Sequence, residues 1–300
     1  MAQQPSAAEL KALQREHWQK AAPGYSKWVI ESNAVPEVLQ KYADTLESHF
    51  GRDTAVKVLD LASASGEPAI TLAKRLPAAH IVSTDLESGY QQLGQARARK
   101  AGVQDRVTFE TADAEELHNY SDSSFDAVTC SFGLMFVSSL SSALNEIYRV
   151  LKPGGLLVVT VWKSLPRWPY MHTFIRFCSG TRLELDPEAM KGTPPSLATK
   201  FGDDAHELLE GLQAAHFREI VRGDAAGTYT LPAEGWWQAM LEMPLPLARI
   251  LEKRKREGQE DAFETAQSKL KEALTSKGFL QQDGSLHIGN NQCHFITAKK

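Results

Sequence analysis

The chain has 300 residues, with 33 Lys+Arg against 37 Asp+Glu, a formal net charge of −4, and 42% apolar and 23% charged side chains. A chain of that length buries roughly three quarters of its unfolded surface, and the composition excludes disordered, collagen-like and disulfide-stapled classes. The acidic balance argues against a nucleic-acid binder with a broad basic face. The cysteines Cys130, Cys178 and Cys293 are far apart and in no metal-ligand spacing, so they read as reduced thiols of a cytoplasmic protein.

Residues 1–51 read as a helical arm. Ser6 caps a helix over 7–19, Pro23-Gly24 interrupts, and a second helix follows Val35-Pro36 and stops at Phe50-Gly51. Trp18, Tyr25 and Trp28 lie close together on this arm, as a staple onto the body or as ligand contacts. Glu9 and Glu16, with no apolar core segment, make the first residues a poor secretory or transit signal. No run in the chain reaches the roughly 20 apolar residues that a membrane span needs.

Residues 52–163 alternate short β-rich runs with amphipathic ones. Strands are expected over 56–62, 80–86, 107–111, 125–131 and 156–162, and helices over 67–75, 88–101 and 139–150, with Lys152-Pro153-Gly154-Gly155 as the turn into the last strand. That alternation predicts an α/β fold with a parallel sheet covered on both faces. Residues 164–300 break the pattern and are expected to supply cap insertions and complete the sheet, all within a single overall domain. They read as a helix over 203–215, strands over 217–221, 228–231 and 292–297, and a helical stretch over 234–277. The cluster Lys253-Arg254-Lys255-Arg256 is followed by Glu257, Glu260 and Asp261 and reads as a solvated helix face.

The chemistry sits in Asp60-Leu61-Ala62-Ser63-Ala64-Ser65-Gly66-Glu67-Pro68, a loop of small residues between the first strand and its helix. In an open α/β sheet, ligands bind at the carboxyl ends of strands near the reversal of strand order, which places this loop beside the site. Asp85, ending the next strand, can accept two hydrogen bonds from a ribose. Ala62, Ala64 and Gly66 are spaced by two, unlike G-x-G-x-x-G, and Glu67 in the first helical turn would repel a pyrophosphate. A ribose-bearing ligand without phosphates suits the site better, and S-adenosylmethionine answers that description.

DLASASGEPA, TDL, TADAEEL, SSFDAVTCSFGL and EIYRVLKPGGLLVV follow one another in this order over residues 56–162. In this the sequence resembles class I S-adenosylmethionine-dependent methyltransferases, in the branch of the ubiquinone/menaquinone C-methyltransferases and related small-molecule enzymes. The resemblance implies a Rossmann-like, mostly parallel seven-stranded sheet and methyl transfer to an O, N or C nucleophile of a small molecule, with S-adenosylhomocysteine as product. It implies no metal and no nucleic-acid partner. Ala62, Ser63 and Gly66 would line the methionine end of the cofactor through backbone contacts, Asp85 would bind the ribose, and Leu86 would lie against adenine. Asp113 would meet the adenine amino group, Ala114 the ring, and Ser131 would bound the methyl-donor pocket. Tyr25, with Trp18, would close over the cofactor. A cofactor-binding scaffold without turnover, and a protein or RNA methyltransferase, are the alternative readings.

Other residues carry blander expectations. Asp60 reads as a loop-organising carboxylate, and Asp126 as ordering the turn into the fourth strand. Ala62 and Ala64 stand where the family usually has glycine; if position 64 needs positive φ, its methyl group costs of order 1 kcal/mol. Residues 164–300 do not match the quinone enzymes, so the resemblance names the donor and leaves the acceptor open. Methyl transfer is an in-line displacement in which alignment can supply about 7–11 kcal/mol, and a base is needed only for a protonated nucleophile. His172 is the first candidate base, ahead of Tyr170, His206, His118 and His216. Aromatic residues of the cap, among them Trp168 and the adjacent Trp236 and Trp237, can wall a pocket for a flat or apolar molecule.

Overall fold

The computed structural model of this chain describes residues 11–12, 15–16, 18–19, 35–164, 167, 169, 173, 200–233, 235–242 and 247–300. Its strands are β1 (Lys57–Leu61), β2 (His80–Asp85), β3 (Val107–Thr111), β4 (Phe125–Ser131), β5 (Leu151–Trp162), β6 (Arg218–Leu231) and β7 (Leu286–Lys299). They form one sheet in the order β3-β2-β1-β4-β5-β7-β6. β1 to β5 are parallel, and β7 runs against both of its neighbours. The chain therefore leaves β1 toward β2 on one side and returns to β4 on the other. That reversal opens a crevice at the carboxyl ends of β1 and β4.

The helices are α1 (Pro36–Phe50), α2 (Ala69–Arg75), α3 (Tyr90–Ala101), α4 (Leu140–Val150), α5 (His206–Ala214), α6 (Trp236–Glu242), α7 (Leu247–Arg256) and α8 (Ala262–Ser276). Local signals place many of their ends. Pro36 opens α1 and Gly51, at φ +85°, closes it. The Ser139 side chain accepts from the Ser142 amide at the start of α4. α1 lies on the sheet through Tyr42, whose ring meets Phe295 edge-on at 5.2 Å. Asp126, on β4, accepts from the Lys57 amide at 2.8 Å and pairs with Lys152 at 2.7 Å, tying together the amino ends of β1, β4 and β5.

Four expectations change. The strands read at 217–221 and 228–231 are one strand, β6, with register shifts at Arg218/Val221 and Gly227/Tyr229. Its middle, Arg222 to Gly227, has no apolar alternation, but backbone pairing with β7 carries it across. Lys152-Pro153-Gly154-Gly155 is no separate turn: β5 already begins at Leu151, which pairs with Phe125 before the register shifts. β7 extends beyond 292–297 at both ends. The stretch 234–277 divides into α6, α7 and α8, with Pro244 and Pro246 in one interval and Gly258 in the other.

α3 approaches β3 closely because Gly94 has no side chain: a Cβ there would overlap the Phe109 ring. Glycine inside a helix normally weakens it by about 1 kcal/mol relative to alanine. Here the contact outweighs propensity, so Gly94→Ala should lower stability in urea unfolding by about 1–3 kcal/mol through overpacking. A gain in stability would mean that α3 can shift without loss.

Candidate active site

β1 delivers its chain end into two left-handed residues, Ala62 at φ +53° and Ala64 at φ +46°. Between them, the Ser63 amide donates to the Thr84 carbonyl at 2.9 Å, and the Ser63 carbonyl accepts from the Gly66 and Glu67 amides. This folds the loop back over the tip of β2. Asp60 anchors it from below. One of its oxygens accepts from Thr129 Oγ1 on β4 at 2.6 Å, the other from the Ala69 amide of α2 at 3.1 Å. Burial pushes the Asp60 carboxyl up to about 7, in spite of those hydrogen bonds. The expected loop-organising role is the one it fills.

Asp85 closes β2. Its Oδ2 accepts from the Ala64 amide at 2.9 Å and its Oδ1 from the Glu87 amide at 3.0 Å. Burial raises this carboxyl to about 6 against those two donors. After β3, Asp113 Oδ1 accepts from the Glu115 amide at 2.9 Å, while Oδ2 meets Lys11 Nζ at 2.6 Å. Lys11 also reaches Glu116 at 2.9 Å. Burial pulls the Lys11 pKa down, but these carboxylates outweigh it and leave it raised.

The loop leaving β4 completes the walls. Phe132 takes φ +57° and stacks on Trp162 with ring centres 4.0 Å apart and planes 13° apart. Gly133 sits so close to the β1 loop that a Cβ would stand 2.5 Å from Ala62 Cβ and 2.7 Å from Cys130 Sγ. The result is one crevice, bounded by Ala62 and Ala64 after β1, Asp85 and Leu86 after β2, Asp113 and Ala114 after β3, and Ser131 and Phe132 after β4. Lys11 and Trp18 of the arm also border it, and Trp18 meets Phe136 edge-on at 5.2 Å.

Seven of the residues given site roles in the sequence therefore meet here: Trp18, Ala62, Asp85, Leu86, Asp113, Ala114 and Ser131. Ser63 and Gly66 are not among the lining residues. The Ser63 hydroxyl lies 2.6 Å from Ser83 Oγ in the sheet, and Gly66 packs under Ile70 and Phe109. Glu67 also departs from expectation. Arg97 of α3 holds its carboxylate at 2.9 Å and the Ser65 carbonyl at 2.6 Å, and Thr71 donates to it at 2.7 Å. The acidic lining comes instead from Asp85, Asp113 and Glu115. Tyr25, His172 and Tyr170 lie outside the described residues. His118, His206 and His216 are exposed and do not line the crevice. Lys11, Glu115 and Phe132 were missed; Glu115 had a signal in the TADAEEL run after β3 and Phe132 in the CSFGL run after β4, whereas Lys11 had none. No group of metal-binding side chains occurs among the described residues.

The sequence pattern of the ubiE/COQ5 methyltransferase family matches residues 37–178. A demethylmenaquinone methyltransferase of Bacteroides fragilis is 31% identical over 176 residues, covering 56% of this chain and 71% of the relative. A ubiquinone/menaquinone biosynthesis C-methyltransferase UbiE of Cereibacter sphaeroides is 37% identical over 118 residues, 38% of this chain and 47% of the relative. Among solved structures, a Bacillus halodurans C-125 protein superposes with a TM-score of 0.52 at 20% identity, covering 86% of this chain and 98% of that one. The YcgJ protein of Bacillus subtilis gives 0.50 at 17% identity, over 87% and 98%. These two share the fold.

The left-handed backbone at Ala64 makes a stability prediction. Removing its Cβ relieves about 1–2 kcal/mol of strain, while the more flexible unfolded chain takes back about 0.5–1 kcal/mol. Ala64→Gly should therefore keep or raise stability by up to about 1 kcal/mol in urea unfolding. A loss of that size would show that the methyl group is accommodated without strain.

Proposed function

This chain belongs to the ubiE/COQ5 methyltransferase family and is an S-adenosylmethionine-dependent methyltransferase, and we propose that its crevice holds the methyl donor and presents it to a small-molecule nucleophile. The carrying observation is convergence: four motifs, far apart in sequence, bring their predicted residues to one opening at the strand tips. The donor set fits the ligand. Asp85, Asp113 and Glu115 offer acceptors to hydroxyl, amino and ammonium groups, and the cation at the mouth, Lys11, is already committed to Asp113 and Glu116. Such a lining favours a sulfonium and a ribose and disfavours a pyrophosphate.

S-adenosylmethionine, when bound, supplies an electrophilic methyl group on sulfur. The chain supplies position. Each Asp85 oxygen accepts one backbone amide and keeps a second lone pair, so the carboxylate has acceptors left for the ribose hydroxyls. Leu86 and Ala114 give apolar surface for the adenine, and Asp113 an acceptor for its amino group. Holding donor and nucleophile in line and away from water is the main catalytic demand. The acceptor is proposed only as a small molecule with an O, N or C nucleophile, because the chain after residue 178 falls outside the family match. A cytoplasmic placement is supported by the odd, scattered cysteine set, of which Cys130 and Cys293 are free and buried.

Asp85→Ala should weaken S-adenosylhomocysteine binding, measured by calorimetry, by well over tenfold, since charged hydrogen bonds to the ribose are lost. Undiminished affinity would remove Asp85 from the site. A pH dependence follows as well. Burial holds the free Asp85 carboxyl at about 6, and ribose hydroxyls donate best to its ionised form. Affinity should therefore rise as pH increases through that value and level off above it, and Asp85→Asn should flatten the curve. A curve of the same shape in the Asn variant would assign the titration to another group.

A further inference from the structure

Three hydroxyls stand in a row behind the crevice. Tyr42 of α1 is fully buried, with Oη 3.0 Å from the Cys130 carbonyl and 3.0 Å from Thr160 Oγ1. Thr160, also fully buried, has its Oγ1 3.4 Å from the Oγ of Ser131, which lines the crevice. Each hydroxyl has one proton to give, and a carbonyl can only accept. The Tyr42 proton goes to Cys130, so Tyr42 must accept from Thr160. With the Thr160 proton spent, the contact between Thr160 and Ser131 can form only if Ser131 donates. Ser131 is left with lone pairs alone for the crevice. Burial also holds the Tyr42 phenol well above its ordinary range, so the proton that sets the direction of the row stays in place.

Position tells what this acceptor meets. The strand order puts Asp113 and Ala114 at the β3 end of the crevice, Asp85 next to them on β2, and Ser131 on β4 beyond the β1 loop. With adenine and ribose taken by the β3 and β2 tips, the amino-acid end of the ligand falls to β1 and β4. That end carries an ammonium, which only donates, and a carboxylate, which only accepts. A hydroxyl whose one proton is already committed to Thr160 attracts the first and repels the second.

We propose that Tyr42 and Thr160 are positioning residues that hold Ser131 as a one-way hydrogen-bond acceptor for the ammonium group of the methyl donor, fixing which way its amino-acid end turns. This rests on the reading of the crevice as the donor site. The test is calorimetry with two probes: S-adenosylhomocysteine, and 5′-methylthioadenosine, which keeps the nucleoside and lacks the amino acid. Ser131→Ala should weaken the first about tenfold and leave the second unchanged. Thr160→Val and Tyr42→Phe should each weaken S-adenosylhomocysteine several-fold, and neither should add to the loss once Ser131 is alanine. A merely structural role for the buried hydroxyls would lower both affinities together, or give additive losses, and either result overturns the proposal. So does unchanged S-adenosylhomocysteine affinity in Ser131→Ala. If Tyr42→Phe melts early, the Thr160→Val cycle decides alone. Failure of the unmutated protein to bind S-adenosylhomocysteine would instead overturn the donor-site reading itself.

Discussion

Asp60 is a carboxylate with no exposed surface, placed where the strand order reverses. A charge in that position has little water to solvate it, and its carboxyl accordingly titrates near neutrality. It persists because its two oxygens join three elements: β1, which carries it, β4 through Thr129, and α2 through the Ala69 amide. The crevice lies directly above that junction. If β1 and β4 separated or α2 rotated, the loops after both strands would part, and Ala62 would no longer sit against Gly133. The geometry of the site is thus inherited from a group that does not line it.

Above the junction the backbone is strained where the crevice is lined. Ala62, Ala64 and Phe132 all have positive φ without being glycine, a conformation that costs about 1–2 kcal/mol per residue. Such residues persist only where their surroundings over-determine them. Here the determinants are visible. Asp85 accepts from the Ala64 amide, Thr84 and Ser63 pin the turn between the two alanines, and Trp162 holds Phe132 by stacking. Arg97 adds a clamp from α3, holding the Ser65 carbonyl and Glu67 together. Side chains from α3 and β2 thus restrain the loop after β1, and Trp162 of β5 restrains the loop after β4.

The parallel core was legible in the sequence because its strands are buried on both faces and so read as continuous apolar runs, as in Val56 to Ala62 and Leu156 to Trp162. The helix ends at Ser139 and Gly51 were legible because the capping chemistry is local. The middle of β6 was not: the run Arg222 to Gly227 is held by partners about seventy residues later, which no local pattern records. The same limit applies to the site. Asp85 could be placed from its strand end and Ser131 from the family resemblance, but Lys11 finds Glu116 across 105 positions. The direction of the Ser63 side chain was not legible either: the left-handed turn at Ala62 sends it into the sheet, against Ser83. Glu67 went the same way, drawn onto Arg97, whose position on α3 is thirty residues off.

Glu67 is paired with Arg97 and so is not the charge that would repel a pyrophosphate. The lining nonetheless carries three carboxylates against one ammonium, since Asp85, Asp113 and Glu115 outnumber Lys11. Burying like charges together is unfavourable unless each is satisfied, and the chain satisfies them one by one. Asp85 takes two amides, Asp113 an amide and Lys11, and Glu115 the Ser138 amide at 2.7 Å. Acceptors already held in place by backbone amides need little rearrangement when a ligand's donors arrive. A cationic, hydroxyl-bearing ligand then supplies the counter-charge that the amides only partly provide, whereas a pyrophosphate would add to the excess.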